Sequence, residues 1–313
     1  MIKQVLTFSL SKSIISAGNV QIMGAIIRLV LVFSLTFAAY VRNIPWESDI
    51  QIWEDASHKA PDNPRVHENL GEAYWKKGRL DVALEQAGIV LSFDPSSASA
   101  HSNLGAIQDA LGRHDLAMEH FHKALSLDPE CFKALLNLGV LLQSEGSLNE
   151  ATRYLQRARE LQPLDAEVHN ALGSVYAAKG LHKRAVEHYL LAISLKPEYA
   201  RAHYNLGSIW LVRRLEGKAI EHLRIATDLD PGLAAAHNNL GLAYIRIGLI
   251  DKAAEEFRMA AKLMPDSAET HNNLGRIYEL KGLRQEATVE YQTALELDPT
   301  YSMARSNLIR LSK

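Results

Sequence analysis

Leucine, glycine, alanine and proline return along this chain at one fixed interval. The pair Leu-Gly stands at Leu70-Gly71, Leu104-Gly105, Leu138-Gly139, Leu172-Gly173, Leu206-Gly207, Leu240-Gly241 and Leu274-Gly275, each 34 residues after the last. An alanine follows each glycine by 12, from Ala83 to Ala287, and a second alanine follows by a further seven in six units. The bulky residues Phe121, Tyr189, Phe257 and Tyr291 stand just ahead of that second alanine, and a proline, Pro95 to Pro299, closes every unit. An aromatic residue follows the glycine by three in five units, at Tyr74, Tyr176, Trp210, Tyr244 and Tyr278. Such a period predicts two helices per unit, stacked so that neighbouring units bury what one helix pair leaves open.

Each recurrent residue has a physical reason. Small residues in both helices let the two backbones cross closely, and a leucine there would overpack the crossing by roughly 1–3 kcal/mol. A second glycine, at 78, 112, 146, 180, 248 and 282, falls between the helices and suits a left-handed cap. The fifth unit has Arg214 there and Gly217 late, which predicts a strained or shifted turn. The prolines end the second helix because proline cannot donate to the preceding turn. After the last unit, residues 302–313 repeat the first-helix pattern with Ile309 at the glycine position, and predict a solvating end helix. Before the first unit, Trp53, Ala56 and Pro61 fall in register, so residues 48–60 read as the second helix of a degenerate unit.

This pattern resembles the tetratricopeptide repeat, a 34-residue helix-turn-helix unit. The resemblance implies an all-α, right-handed superhelical solenoid, with repeats at 64–97, 98–131, 132–165, 166–199, 200–233, 234–267 and 268–301 and a capping helix at 302–313.

The N-terminal part is different. Residues 22–41, IMGAIIRLVLVFSLTFAAYV, are long enough to cross a bilayer as one helix, with Arg28 close enough to an interface to snorkel. They predict a transmembrane helix or uncleaved signal anchor after a short cytoplasmic N-terminus, residues 1–21, and before a junction with the degenerate cap helix, 42–63. Lys3 and Lys12 precede the segment, and acidic residues begin only at Glu47, so the repeats are expected on the extracytoplasmic side, periplasmic or lumenal. A cleaved signal peptide, with Thr36-Phe37-Ala38 as the cleavage site, is the competing reading. The overall balance of 34 Lys+Arg against 36 Asp+Glu gives no reason to expect nucleic acid as a partner. The single cysteine, Cys131, cannot form an internal disulfide and reads as a small apolar filler.

Asparagine precedes the Leu-Gly pair at Asn69, Asn103, Asn137, Asn205, Asn239, Asn273 and, in the end helix, Asn307; Ala171 is the gap. Asparagine is a poor helix former, so its return needs a reason. In a stacked solenoid the first helices line the concave groove, where an amide carrying both donor and acceptor can clamp the backbone of an extended peptide. A merely tolerated polar residue is the bland alternative. The ladder is similar to the repeat region of O-linked N-acetylglucosamine transferases, whose groove asparagines hold the substrate backbone, although that family's catalytic part is absent. Beside the ladder, Arg65, Glu68, Trp75, Lys133, Tyr204, Asn238, Asn272 and Arg276 line the same groove, with Trp75 and Tyr204 as candidate anchors. Six histidines, His67, His101, His169, His203, His237 and His271, sit two positions before the asparagine site. They are expected to pack between units, because helices about 8–10 Å apart do not bring successive ladder histidines onto one metal ion. No phosphate loop, nucleophile elbow or zinc motif is present, so neither catalysis, cofactor nor metal is expected.

The stretch from Tyr40, with Arg42-Asn43, Trp46, Trp53 and Pro61-Asp62-Asn63, is similar to the junction between the last membrane helix and the repeats in polytopic proteins of the O-mannosylation type. Those proteins have about ten membrane segments and this chain has one, so the resemblance does not carry their activity. The reading is a membrane-anchored scaffold that binds a peptide or partner protein in its groove. The alternative is an accessory or remnant of a membrane glycosyltransferase system that presents acceptor proteins.

Overall fold

The computed structural model describes residues 49–312, and among them there is no β-strand. These residues form two compact units, 49–113 and 114–312. The first holds α1 (Asp49–Lys59), α2 (Pro64–Lys76), α3 (Leu80–Phe93) and α4 (Ala98–Ala110). The second holds α5 (His114–Leu127), α6 (Phe132–Ser144), α7 (Leu148–Leu161), α8 (Ala166–Ala178), α9 (His182–Leu195) and α10 (Ala200–Val212). It continues with α11 (Glu216–Leu229), α12 (Ala234–Arg246), α13 (Ile250–Leu263), α14 (Ala268–Leu280), α15 (Arg284–Leu297) and α16 (Ser302–Leu311).

Each 34-residue interval gives a helix of 13 residues and then one of 14, for example α8 and α9. The starts are capped where the sequence allows it: Asp165 Oδ1 accepts from the Val168 amide at 2.9 Å, and Ser97 Oγ from the Ala100 amide at 3.2 Å. Between the two helices of a repeat, Gly180 takes φ +72°, and the Leu181 amide closes the turn on Tyr176 O at 2.8 Å. Arg214 takes the same left-handed place with φ +56°, and the Leu215 amide closes on Trp210 O at 2.9 Å. The fifth turn is therefore strained but not shifted, and Gly217 lies inside α11.

The crossing glycines differ in one respect from expectation. A Cβ on Gly173 would sit 2.5 Å from the Tyr189 ring, and one on Gly139 would sit 2.6 Å from Leu155 Cγ. The glycine thus makes room for the bulky residue 16 positions later rather than for the alanine at 12. Leu155, Tyr189, Leu223, Phe257 and Tyr291 fill these notches and are buried, each contributing roughly 1.5–3 kcal/mol.

In the first unit, Ile50 and Trp53 of α1 pack against the Leu70–Tyr74 core, and the Tyr74 hydroxyl donates to Glu54 Oε1 at 2.5 Å. In the second, α16 closes the last repeat: Leu311 is buried, Leu308 packs beside it on Tyr291, and Arg284 donates to Leu311 O. Ile309, at the glycine position, is exposed. Among the described residues no helix is long and apolar enough to cross a membrane. The expected N-terminus, the apolar segment 22–41 and residues 42–48 of the junction lie outside the described residues.

Candidate functional site: the first-helix wall

Within the second unit, the first helices of successive repeats touch one another directly, α6 with α8, α8 with α10 and α10 with α12. The asparagine ladder lies along this line of contact. Asn205 Nδ2 donates to Asn170 Oδ1 at 2.9 Å, and Asn273 Nδ2 donates to Asn238 Oδ1 at 3.0 Å. Asn307 Nδ2 donates to Asn272 Oδ1 at 2.9 Å. Asn239 faces the repeat that carries Tyr204 in place of an asparagine, and donates instead to Ser208 Oγ at 2.9 Å. These four ladder amides, from Asn205 to Asn307, therefore bond back to the preceding repeat.

The gap in the ladder obeys the same rule. Repeat 3 offers Leu136 and Val140 at the two acceptor positions, and the next repeat has Ala171 instead of asparagine. Leu136 and Ala171 are both buried. A primary amide at 171 would bury a donor opposite hydrocarbon, which costs more than the bond is worth.

The sequence-predicted residues take different places. Asn238 and Asn272, expected beside the groove, are 8% and 2% exposed and act as acceptors in the seam between helices. Tyr204 is half-buried on α10, and its carbonyl accepts from Ser208 Oγ at 2.8 Å. Asn137 is half-buried on α6, and Lys133 is exposed at the start of that helix. In the first unit, Asn69 and Asn103 are half-buried on α2 and α4, Arg65 is exposed, Glu68 is half-buried, and Trp75 is 44% exposed near the end of α2. The wall deepens at the C-terminal end of the second unit into a cavity of about 540 Å³. Asn272, Asn273, Asn307, Arg276, Tyr301 and Arg310 line it, with Leu242 and Met303 as apolar wall and Glu269 as the acid. Arg310 is held by Glu279 at 2.8 Å and by Asn307 Oδ1 at 3.1 Å. Sequence reasoning missed Ser174 and Ser208, the alternative acceptors, and Arg310. The serine after the glycine in repeats 4 and 5 was the available signal.

His67, His169, His203, His237 and His271 are tied on both ring nitrogens, and His101 Nε2 meets Pro95 O at 3.3 Å. Nε2 meets the carbonyl of the proline that closes the preceding unit: Pro61 for His67 at 2.7 Å, Pro163 for His169 at 2.8 Å, Pro265 for His271 at 2.9 Å. Nδ1 meets the residue 19 positions later on the second helix. That partner is Gln86 Oε1 at 2.8 Å for His67, and a histidine Nδ1 at 3.1 Å for His169 and His203. For His237 and His271 it is Glu256 and Glu290, each at 2.7 Å. The hydrogen bond that Glu256 accepts holds the His237 imidazole above its ordinary range. Burial pushes His203 and His222 down, and His188 down to about 4. Among the described residues no three His, Cys, Asp or Glu side chains gather as metal ligands.

Profiles of the tetratricopeptide repeat match residues 110–175 and 268–301, and 50–88, 192–234 and 217–268 in another form; a TPR-repeat profile matches 173–210. The chain belongs to the tetratricopeptide-repeat family. A chain of the APC/C hetero-tetramer Cut9–Hcn1 superposes on 84% of it with a TM-score of 0.76 at 20% identity, a likeness of fold. This tetratricopeptide-repeat chain covers 52% of that chain, about half its length. YrrB, a TPR protein with an unusual peptide-binding site, is 25% identical over 61% of the present chain and 98% of its own, with a TM-score of 0.48. MamA is 29% identical over 56% and 95%, with a TM-score of 0.46. No curated protein sequence matches.

Proposed function

We propose that this tetratricopeptide-repeat chain is a protein-interaction scaffold that holds an extended segment of a partner along the first-helix wall of residues 132–310. The observation that carries the reading is the chemistry of that wall. From repeat 3 to repeat 6 its middle carries polar and apolar side chains without charge, Val140, Asn170, Ser174, Tyr204, Asn205, Ser208, Asn239 and Leu242, while Lys133, Glu167 and Arg201 stand along one edge at the register of Glu269. Asn205, Asn239, Asn273 and Asn307 each commit one amide N–H to the preceding repeat and keep a second N–H and a carbonyl oxygen with which to hold a partner's main chain. The cavity at Asn273 and Asn307 adds room for one side chain beside Arg276. In this reading the apolar segment 22–41 anchors the scaffold in a membrane with the repeats on the extracytoplasmic side, and protease protection in sealed vesicles tests that placement.

The test of the wall is selection of random peptides on the full chain, followed by affinity measurement on variants. Val140→Glu places a charge on an exposed wall position, and Val289→Glu places one on an exposed second-helix position. The wall variant is expected to weaken selected peptides at least about tenfold, which is about 1.4 kcal/mol, and the second-helix variant less than about twofold. The opposite order rejects the wall as the binding surface.

A further inference from the structure

The six ladder histidines share one connection on Nε2 and differ only in what faces Nδ1, and this difference has a chemical consequence. In a neutral imidazole, Nε2–H donating to a proline carbonyl leaves Nδ1 as a bare acceptor. His169 and His203 are in this position, with Nε2 at 2.8 Å from Pro163 O and 3.0 Å from Pro197 O. Each then needs a donor opposite Nδ1, and finds His188 Nδ1 or His222 Nδ1 at 3.1 Å. The pair holds one proton between two nitrogens. One added proton makes one ring cationic and can sit on the outer Nε2 of His188 or His222, keeping the shared bond; two added protons make both rings cationic and set two N–H groups head to head, with no acceptor between them. In repeats 6 and 7 the group opposite Nδ1 is a carboxylate, and there one added proton completes an ion pair.

We propose that the His169–His188 and His203–His222 pairs are a proton-operated latch: mild acidification parts the two helices within repeats 4 and 5, residues 166–233, while repeats 6 and 7 stay closed.

The surroundings favour the neutral pair. His188 stacks on Tyr176 with ring centroids 5.3 Å apart, and Arg184 lies 5.7 Å over the other partner of that stack. Arg159, from α7 of the preceding repeat, adds a positive charge that acts against protonation of His188. Around His222 the charges are mixed, Lys218 opposing and Glu221 favouring protonation, both on α11. Around His237 they are acidic, Glu256 from α13 and Asp230 from the preceding turn. Because burial lowers the folded value of His188 below the unfolded value of about 6.5, stability is retained above that pH and lost as pH falls toward about 4. His237 has the opposite sign. The latch stands apart from any ligand in the wall, and would operate if the wall bound nothing.

The chain supplies its own control residues. Gln86 occupies the equivalent place in repeat 1, with its Oε1 2.8 Å from His67 Nδ1, and Glu256 occupies it in repeat 6. The experiment is amide hydrogen exchange on the full chain at pH 7.5 and 5.0, corrected for intrinsic rates, on the native protein, His188→Gln/His222→Gln and His188→Glu/His222→Glu. In the native protein, protection of α8–α11 is expected to fall about tenfold relative to α12–α15 at the lower pH. The glutamine pair should abolish that difference, and the glutamate pair should reverse it. Equal loss of protection in both helix sets of the native protein overturns the proposal whether or not the variants fold. Persistence of the difference in a folded glutamine variant overturns it as well.

Discussion

Asn205 donates its side-chain amide to Asn170 across 35 residues, 2.9 Å from nitrogen to oxygen. The offset is one more than the repeat length, so the bond steps diagonally from one first helix to the one before it. Where that earlier helix presents only Leu136 and Val140, the amide is missing and Ala171 stands in its place. The ladder is thus a device for stacking repeats, and the wall it builds is the surface we propose for a partner.

Asn205→Ala leaves Asn170 Oδ1 without its donor in a half-buried seam, and should cost about 1 kcal/mol. Adding Asn170→Leu copies the pairing of Leu136 with Ala171 and should recover part of the loss. Urea unfolding of the two single variants and the double variant checks this; strictly additive losses would show that the two side chains are not coupled.

The helices of the repeats follow from the 34-residue period, because Leu-Gly, alanine and proline each report on local geometry that recurs with the backbone. The use of the asparagines does not. Their partners lie 35 or 31 residues away, out of phase with the repeat, and a periodic reading gave both halves of the amide to a ligand. The histidine partners lie 19 residues away on the facing helix and vary among Gln, His and Glu, so no ladder marks them. The role of Gly173 was half legible. Its smallness was plain, but the ring of Tyr189 that fills the notch depends on how the second helix is rotated.

That notch gives a graded prediction. Gly173→Ala places a methyl 2.5 Å from the Tyr189 ring and should destabilise by roughly 1–3 kcal/mol. Gly71→Ala meets its nearest side-chain atom, Gln86 Cβ, only at 3.3 Å and should cost clearly less. Thermal or urea midpoints of the two variants give the comparison.

Arg214 occupies a left-handed position that glycine fills in the six equivalent turns. Arg214→Gly removes the strain of φ +56° and should stabilise the chain by about 1 kcal/mol, with the turn hydrogen bond from Leu215 to Trp210 retained. A fall in the unfolding midpoint would show that the arginine side chain contributes more than its backbone costs.

The Glu256–His237 pair sets a pH dependence of known sign. The hydrogen bond to Glu256 raises the histidine above its unfolded value, so the stability it brings is complete below about pH 6.5 and is lost as pH rises through the folded value. Glu256→Gln should therefore lower the urea midpoint more at pH 6 than at pH 9. An equal loss at both pH values would mean that the pair contributes by packing alone.

The account rests on the first-helix wall as the surface that meets a partner, and site-specific photo-cross-linking in the intact cell tests it most directly. A benzophenone side chain at Val140 or Arg201, on first helices, is compared with one at Leu190 or Val289, on second helices; all four positions are exposed. The account predicts one partner protein joined from both first-helix sites and from neither second-helix site. Cross-links that form only from Leu190 and Val289 would contradict it.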